Sequence, residues 1–329
     1  VSTLHRTLIR FDQHGDPSVL SLHHDELAAP GAGELRIVQH AIGLNYADVY
    51  QRQGAAGPHQ DTAFPVIPGS QGAGLVEAVG AGVTDFKVGQ AVTYLYPGAY
   101  ASARLVPAQR ALPIPEGLTM ETAAALLLRG MTAEYLLHRL YPVQPGDRLL
   151  VHAAAGGMGQ LLAAWGRALG AEVIGTVGSP EKAEIARQCG CHHVIDYRRE
   201  DFVARVQQIT AGEGVHVVYD AVGKDVFVPS LDCLRPRGMA INYGTASGDV
   251  QGFDLQRLHA RSLTVCRPTL RTFVDTPEAL RRSAEMFAAA VRRGDVPARI
   301  ARRYPLAQAR QAHEDLESRR TTGAAVLLP

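Results

Sequence analysis

Cysteine is scarce and one-sided. The chain of 329 residues contains four, Cys189, Cys191, Cys233 and Cys266, all in the second half and none in C-x-x-C spacing. That pattern argues against a disulfide framework. Long hydrophobic runs are missing as well: none, Ala123–Leu128 included, exceeds six residues, where a membrane-spanning helix needs about 20. The opening VSTLHRTLIRFDQHG lacks a charged-then-apolar leader pattern,. Nor is there an excess of one charge. Lys and Arg number 33 against 32 Asp and Glu, a net charge of +1, so phosphate backbones and anionic lipid exert no sequence-independent pull. The expectation is a cytoplasmic globular protein with no nucleic-acid or membrane partner. Disorder, collagen and coiled coil are excluded by 46% hydrophobic and 20% charged residues,.

What the chain does have is glycine: 33 residues, about 10% where about 7% is usual. Much of it falls before residue 125, where short β-type runs (Leu35–Gln39, Gly74–Val79, Gln90–Tyr94) are separated by Gly and Pro. Such punctuation reads as a compact, mostly β domain. From Gly146 the pattern alternates strand and helix: Arg148–His152, Met158–Leu169, Glu172–Val177, Glu181–Gln188, His193–Asp196, Asp201–Thr210, Val215–Tyr219. Alternation of this kind implies an α/β fold, a doubly wound parallel sheet with helices on both faces. The stretch Thr119–Leu140 before it reads as helix, as do Pro277–Arg293 and Leu306–Ser318 after it,.

The central motif is Val151-His-Ala-Ala-Ala-Gly156-Gly157-Met158-Gly159, set between an apolar strand and a helix. Glycines there let a pyrophosphate approach the backbone and meet free N–H groups at the helix N-terminus. The competing reading, a purely structural tight turn, does not account for the strand before it and the helix after it. An NAD site usually places an acid about 20 residues on, at the end of the second strand. This strand ends Thr176-Val177-Gly178-Ser179, with Lys182 following. A cation without an acid favours the 2′-phosphate of NADPH; the alternative for Lys182 is a solvated helix face.

These residues carry a resemblance. The run Gly146–Gly159, the segment Gly43-Leu-Asn45-Tyr-Ala-Asp48-Val-Tyr50-Gln-Arg52, the stretch Ile67-Pro-Gly69-Ser-Gln71-Gly-Ala-Gly74 and the tail Ala312–Arg319 resemble the quinone oxidoreductase (zeta-crystallin-like) branch of the zinc-independent medium-chain dehydrogenase/reductases. The resemblance implies a GroES-like catalytic domain at 1–125 and 268–329, and a Rossmann NADPH-binding domain at 126–267. It further implies Asn45 and Tyr50 near the nicotinamide and substrate, with Thr132 beside them. Gly156, Gly157 and Met158 would cradle the pyrophosphate. Gly178, Ser179, Lys182 and Tyr197 would surround the adenosine 2′-phosphate, Tyr243-Gly244-Thr245 would pass under the nicotinamide ribose, and Arg319 would close the site. Tyr197 and Tyr243 can equally be packed aromatics, and Arg319 a surface ion pair. The sequence departs from its relatives at Ala164, usually Gln, at Gly323-Ala324, usually Gly-Lys, and at Gln71, often an acid.

A catalytic zinc needs three or four N, S or O ligands. The Gly-His-Glu element of the zinc alcohol dehydrogenases reads Gly69-Ser70-Gln71 here, and no cysteine precedes residue 189. The adjacent pairs His23-His24 and His192-His193 point their side chains apart on a strand. No metal is therefore expected. Without a Lewis acid, such a fold suits hydride delivery to an acceptor that is already electron-poor. Reduction of a quinone by NADPH is the leading expectation; reduction of a conjugated enone or enal is the second. A third is an NADPH-binding structural or RNA-binding protein. Asp48 reads as a structural partner, for example to Arg52. Relatives pair a last Rossmann strand across a two-fold axis, which implies a homodimer through Leu263–Cys266.

Overall fold

Each of two compact units is built on its own sheet. The computed structural model describes residues 3–55, 63–318 and 321–329. One unit takes in the chain up to Leu128, Thr276–Val291 and the part from Ala298 onward; the other takes in Arg129–Asp275 and Arg292–Pro297.

In the first unit β1 (Leu4–Arg10) and β2 (Ser21–Leu27) form an antiparallel pair. The longest strand, β3 (Glu34–Leu44), leads into helix α1 (Tyr46–Gln53), and β4 (Gln71–Val79), β5 (Ala91–Leu95), β6 (Ala103–Pro107) and β7 (Ala111–Pro113) follow. Alternating Leu35, Ile37 and other apolar residues of β3 are fully buried, as a strand packed in a core requires. Helix α2 (Met120–Glu134) then carries the chain into the second unit. It ends in one wide turn of π-helix, Tyr135–Leu140, where a single regular helix was expected. A π turn stacks residues five apart, and Glu134 and Arg139, five apart, are joined at 2.7 Å,.

The second unit is a six-stranded parallel sheet. Its elements are β8 (Arg148–Val151), α3 (Gly157–Ala168), β9 (Glu172–Val177), α4 (Pro180–Gln188), β10 (His193–Asp196), α5 (Phe202–Ile209), β11 (Val215–Asp220), the short α6 (Phe227–Ser230), β12 (Leu234–Asn242) and β13 (Thr264–Cys266). The spatial order β10-β9-β8-β11-β12-β13 is the doubly wound order that the alternation implied. Strands buried on both faces are apolar at their centres, and Leu150, Ile174, Ile195, Val218 and Ala240 have no exposed surface,. Helix starts are capped by sequence: Asp201 accepts from Val203 N–H at 2.8 Å and Ala204 N–H at 3.2 Å, and Ser179 precedes Pro180 at the start of α4,.

The chain returns to the first unit through α7 (Pro277–Arg293), β14 (Ile300–Pro305), α8 (Ala309–Glu317) and β15 (Ala324–Leu328). Strand β15 pairs with the end of β3, Ala325 opposite Leu44 and Leu327 opposite Ile42. This pairing clamps β3 one residue before Asn45. Among the described residues no helix is long and apolar enough to cross a membrane.

Candidate active site and cofactor cradle

In a parallel sheet every strand points the same way, so the loops after β8, β9, β10, β11 and β12 share one end. The strand order reverses between β8 and β11, the position where doubly wound sheets bind ligands. The glycine loop follows β8 there. Helix α3 begins at Gly156 without a side-chain cap, which leaves its first-turn N–H groups available to an anion. Gly159 is dictated by packing: a Cβ there would stand 2.6 Å from Ala154 Cα and 2.8 Å from the Ala154 carbonyl carbon. Helix and loop can approach this closely only without a side chain. Ala153, at φ 53°, takes the left-handed conformation that opens the loop,.

After β9, the residues expected around a 2′-phosphate come together. The Tyr197 phenol lies over the backbone of Gly178, where a Cβ would be 2.5 Å from the hydroxyl. Tyr197 N–H donates to Val177 carbonyl at 3.1 Å, fixing the loop after β10 against the end of β9. Ser179 Oγ accepts from Lys182 N–H at 3.3 Å. One acid stands in this turn: Glu181, whose carboxyl is held below its usual range by the Ser179 hydroxyl. Lys182 is half-buried beside it. Thr132 lies buried in α2, Tyr243 half-buried and Thr245 buried just after β12.

The loop Tyr243–Thr245 is fastened by a residue that the sequence reading did not single out. Asp220, fully buried at the end of β11, accepts from Val222 N–H at 2.7 Å, Gly223 N–H at 3.0 Å and Asn242 Nδ2 at 2.8 Å. Its own carbonyl accepts from Tyr243 N–H at 2.8 Å. Asn242 also donates to Gly244 carbonyl at 2.8 Å and accepts from Arg267. Burial raises the Asp220 carboxyl against these donors,. A second buried polar set ties the strands beneath: His152 contacts Thr176 Oγ1 at 2.9 Å and Ser230 Oγ at 2.8 Å. Burial pushes its imidazole down to about 3, so it stays neutral.

In the first unit Asn45 is the N-cap of α1 and is 3% exposed. Its carboxamide oxygen faces the Asp48 N–H in a capping-box arrangement, and its Nδ2 has no hydrogen-bond partner. Tyr50, one turn further on, stands edge-to-face with Tyr46 at 5.1 Å. Buried Asp48 accepts from Asn45 N–H at 2.9 Å and from the Tyr100 hydroxyl at 3.0 Å, while Arg52 is ion-paired to Glu317 at 2.7 Å. The structural role expected of Asp48 thus runs through Asn45 and Tyr100. Arg319 lies outside the described residues.

Comparison with known proteins bears on both units. The family model of the alcohol dehydrogenase GroES-like domain matches residues 31–139, and that of the zinc-binding dehydrogenase matches residues 157–285. The quinone oxidoreductase of Pseudomonas aeruginosa is 45% identical over 98% of this chain and 99% of that protein. The chain belongs to the quinone oxidoreductase family of medium-chain dehydrogenase/reductases. A 2-haloacrylate reductase of a Burkholderia species is 43% identical over 96% of both chains. The crystal structure of the Escherichia coli quinone oxidoreductase complexed with NADPH has a TM-score of 0.94 to this chain at 40% identity, covering 98% of this chain and 100% of that one.

One matching model is named for zinc, but the residues of this quinone oxidoreductase family member do not fit a zinc centre. At the position of the zinc-binding triplet, the Gln71 carboxamide is spent at both ends on α2: it donates to Ala124 carbonyl and accepts from Leu128 N–H at 2.8 Å. It is inserted into what would be one i→i−4 bond of that helix. The paired histidines also have separate partners, His192 accepting from Val173 N–H at 3.0 Å and His193 meeting Glu172 at 3.0 Å. Among the described residues no three His, Cys, Asp or Glu are grouped to hold a metal ion.

Proposed function

We propose that this protein is a zinc-independent NADPH:quinone reductase. The observation that carries the reading is the uncapped start of α3 at the switch point of the sheet, joined by Gly178, Ser179, Lys182 and Tyr197 with no acid at the end of β9. Bound NADPH supplies a hydride. The first-turn N–H groups at Gly157 and Met158 would hold its pyrophosphate, and Ser179 and Lys182 its 2′-phosphate. The Asp220-fastened loop Tyr243–Thr245 would support the ribose. The buried Nδ2 of Asn45, a donor group with no hydrogen-bond partner in the protein, is suited to a carbonyl oxygen of the electron acceptor. The Tyr50 phenol would orient the acceptor or donate a proton.

The name 2-haloacrylate reductase on a 43% identical relative favours a second reading, reduction of a conjugated carbon–carbon double bond on the same scaffold. Comparing turnover of a benzoquinone and a naphthoquinone with that of an α,β-unsaturated ketone and 2-chloroacrylate, each with NADPH and with NADH, decides between them. We expect faster quinone turnover, dependence on NADPH, and no loss in chelator. Equal rates with NADH, or zinc-restorable loss in chelator, would overturn the assignment. We also infer a cytoplasmic homodimer. Strand β13 lies at the edge of the six-stranded sheet, an edge that calls for cover. A monomeric mass in light scattering at micromolar concentration would contradict this.

A further inference from the structure

We infer that His313, Tyr100 and Asp48 form a buried positioning relay that sets Asn45 for the acceptor; the inference rests on the reading of Asn45 given above. Every link is in the first unit. His313 on α8 meets the Tyr100 hydroxyl through Nε2 at 3.0 Å, Tyr100 meets Asp48 Oδ2 at 3.0 Å, and the same oxygen accepts from Asn45 N–H at 2.9 Å. His313 and Tyr100 have no exposed surface, Asp48 has 1% and Asn45 3%.

The direction of the chain follows from valence. A carboxylate only accepts, and a phenol has one proton, so Tyr100 donates to Asp48. Its oxygen is then left to accept, which makes His313 the donor through Nε2–H and leaves Nδ1 without the proton. Nδ1 has no hydrogen-bond partner. Burial and the nearby Arg52 charge push the imidazole down to about 3, so His313 stays neutral, as this tautomer requires. The Tyr100 ring is held over the backbone of Gly69, where φ is +89° and a Cβ would stand 2.5 Å from the ring. His313 itself closes edge-to-face on that ring at 5.8 Å.

The relay ends on a residue whose own side-chain Nδ2 is left without a hydrogen-bond partner. A buried polar group without a partner loses its hydration with nothing in return, and such groups call for an explanation. An amide kept free for an external oxygen is useful only if its backbone cannot drift. Asp48 supplies that constraint from both directions: its carboxylate takes the Asn45 N–H, and its own N–H donates to Asn45 carbonyl at 3.0 Å. Tyr100 and His313 then hold the carboxylate. The path explains why a motif glycine (Gly69) and a tail histidine (His313), 244 positions apart in this numbering, both bear on the Asn45 segment.

The test uses the full chain with NADPH and a quinone, in Tyr100→Phe, Asn45→Ala and the double variant, with His313→Leu and His313→Gln alongside. Tyr100→Phe keeps the ring and removes one link. We expect its kcat to fall about tenfold, or about 1.4 kcal/mol, with quinone KM less affected. Asn45→Ala should lose at least as much, and adding Tyr100→Phe to it should cost nothing further, because the relay acts through Asn45. His313→Gln, which retains an N–H donor near the Nε2 position, should restore most of the activity that His313→Leu loses. Melting temperatures are measured for all five. Additive losses in the double variant, or lower melting temperatures with kcat unchanged in Tyr100→Phe, would overturn the relay and leave a packing role. An inactive wild type would instead sink the quinone reading, and an unaffected Asn45→Ala in an active enzyme would sink the role of Asn45.

Discussion

At the start of α3 the second unit presents its candidate binding groups on backbone, whereas around Asn45 the first presents its own on side chains. Around α3 the useful atoms are peptide N–H groups, arranged by a glycine that no other residue can replace and by the reversal of strand order. Around Asn45 the useful atoms belong to a carboxamide, whose setting depends on side chains brought in from β-domain loops and from α8. A backbone site is specified by local sequence and tolerates change at most neighbouring positions. A side-chain site is specified by partners far along the chain and can be lost at any of them. Among the described residues each unit also fully buries one neutral histidine, His152 in the second and His313 in the first, and these give the comparison its largest measurable handle.

Both imidazoles are pushed down to about 3, chiefly by burial, whereas an unfolded chain protonates histidine near 6.5. Their folded values lie below the unfolded one. Stability is therefore complete above about pH 6.5 and is lost as pH falls toward 3, at about 1.4 kcal/mol per pH unit for each group. Two such groups amount to about 5 kcal/mol by pH 4.5. Urea unfolding at pH 7.5, 6 and 4.5 reads this loss. His152→Gln should flatten the pH slope for the second unit and His313→Gln for the first, whatever either does to stability at pH 7.5. A slope unchanged in both variants would break the argument.

Next in size is Gly159→Ala. Its Cβ would meet Ala154 backbone at 2.6 Å, and backbone on both sides leaves nothing flexible to yield. NADPH affinity should drop about 100-fold, about 2.7 kcal/mol, measured by quenching or calorimetry. A Tyr100→Phe control should bind NADPH as the wild type does, which sharpens the contrast between a site made of backbone and one made of side chains. Intact NADPH binding in Gly159→Ala would mean that the cradle does not depend on the close approach of α3 to its loop.

The same contrast explains what could be read from the chain. The βα alternation from Arg148 onward and the strand Ala324–Leu328 are legible because each strand has an apolar centre and Gly or a helix cap marks many of the boundaries. Strands β1 and β2 are not: their pairing places His23, Asp25 and Glu26 on a half-exposed surface, so polar residues interrupt the alternation. The glycine loop and the Ser179–Lys182 turn lie within one or two elements, and local spacing suffices to find them. Asp220 could have been suspected as an acid ending an apolar strand before Ala221-Val222-Gly223. Tyr100 and His313 had no such signal, because their significance exists only once α8 is packed beside α1. Gln71 was visible as a departure from the zinc triplet, but its insertion into the α2 ladder depends on the fold.

The smallest effect tests how far a single exposed-side cation adds to a backbone cradle. Lys182 is half-buried in the first turn of α4, next to Glu181 and with its own N–H held by Ser179. A phosphate there meets one favourable charge and one unfavourable one, so the net contribution is modest and screened by salt. Lys182→Ala should raise the KM for NADPH about tenfold, equivalent to about 1.4 kcal/mol, and leave that for NADH unchanged, because NADH lacks the 2′-phosphate. Glu181→Gln should move NADPH the other way by a smaller factor, since it removes the repelling charge and keeps the helix turn. Both shifts should shrink between 50 mM and 500 mM salt. A loss of NADH and NADPH together in Lys182→Ala would assign Lys182 to the α4 fold instead of the phosphate, and the choice of dinucleotide would then rest on the backbone and Ser179 alone.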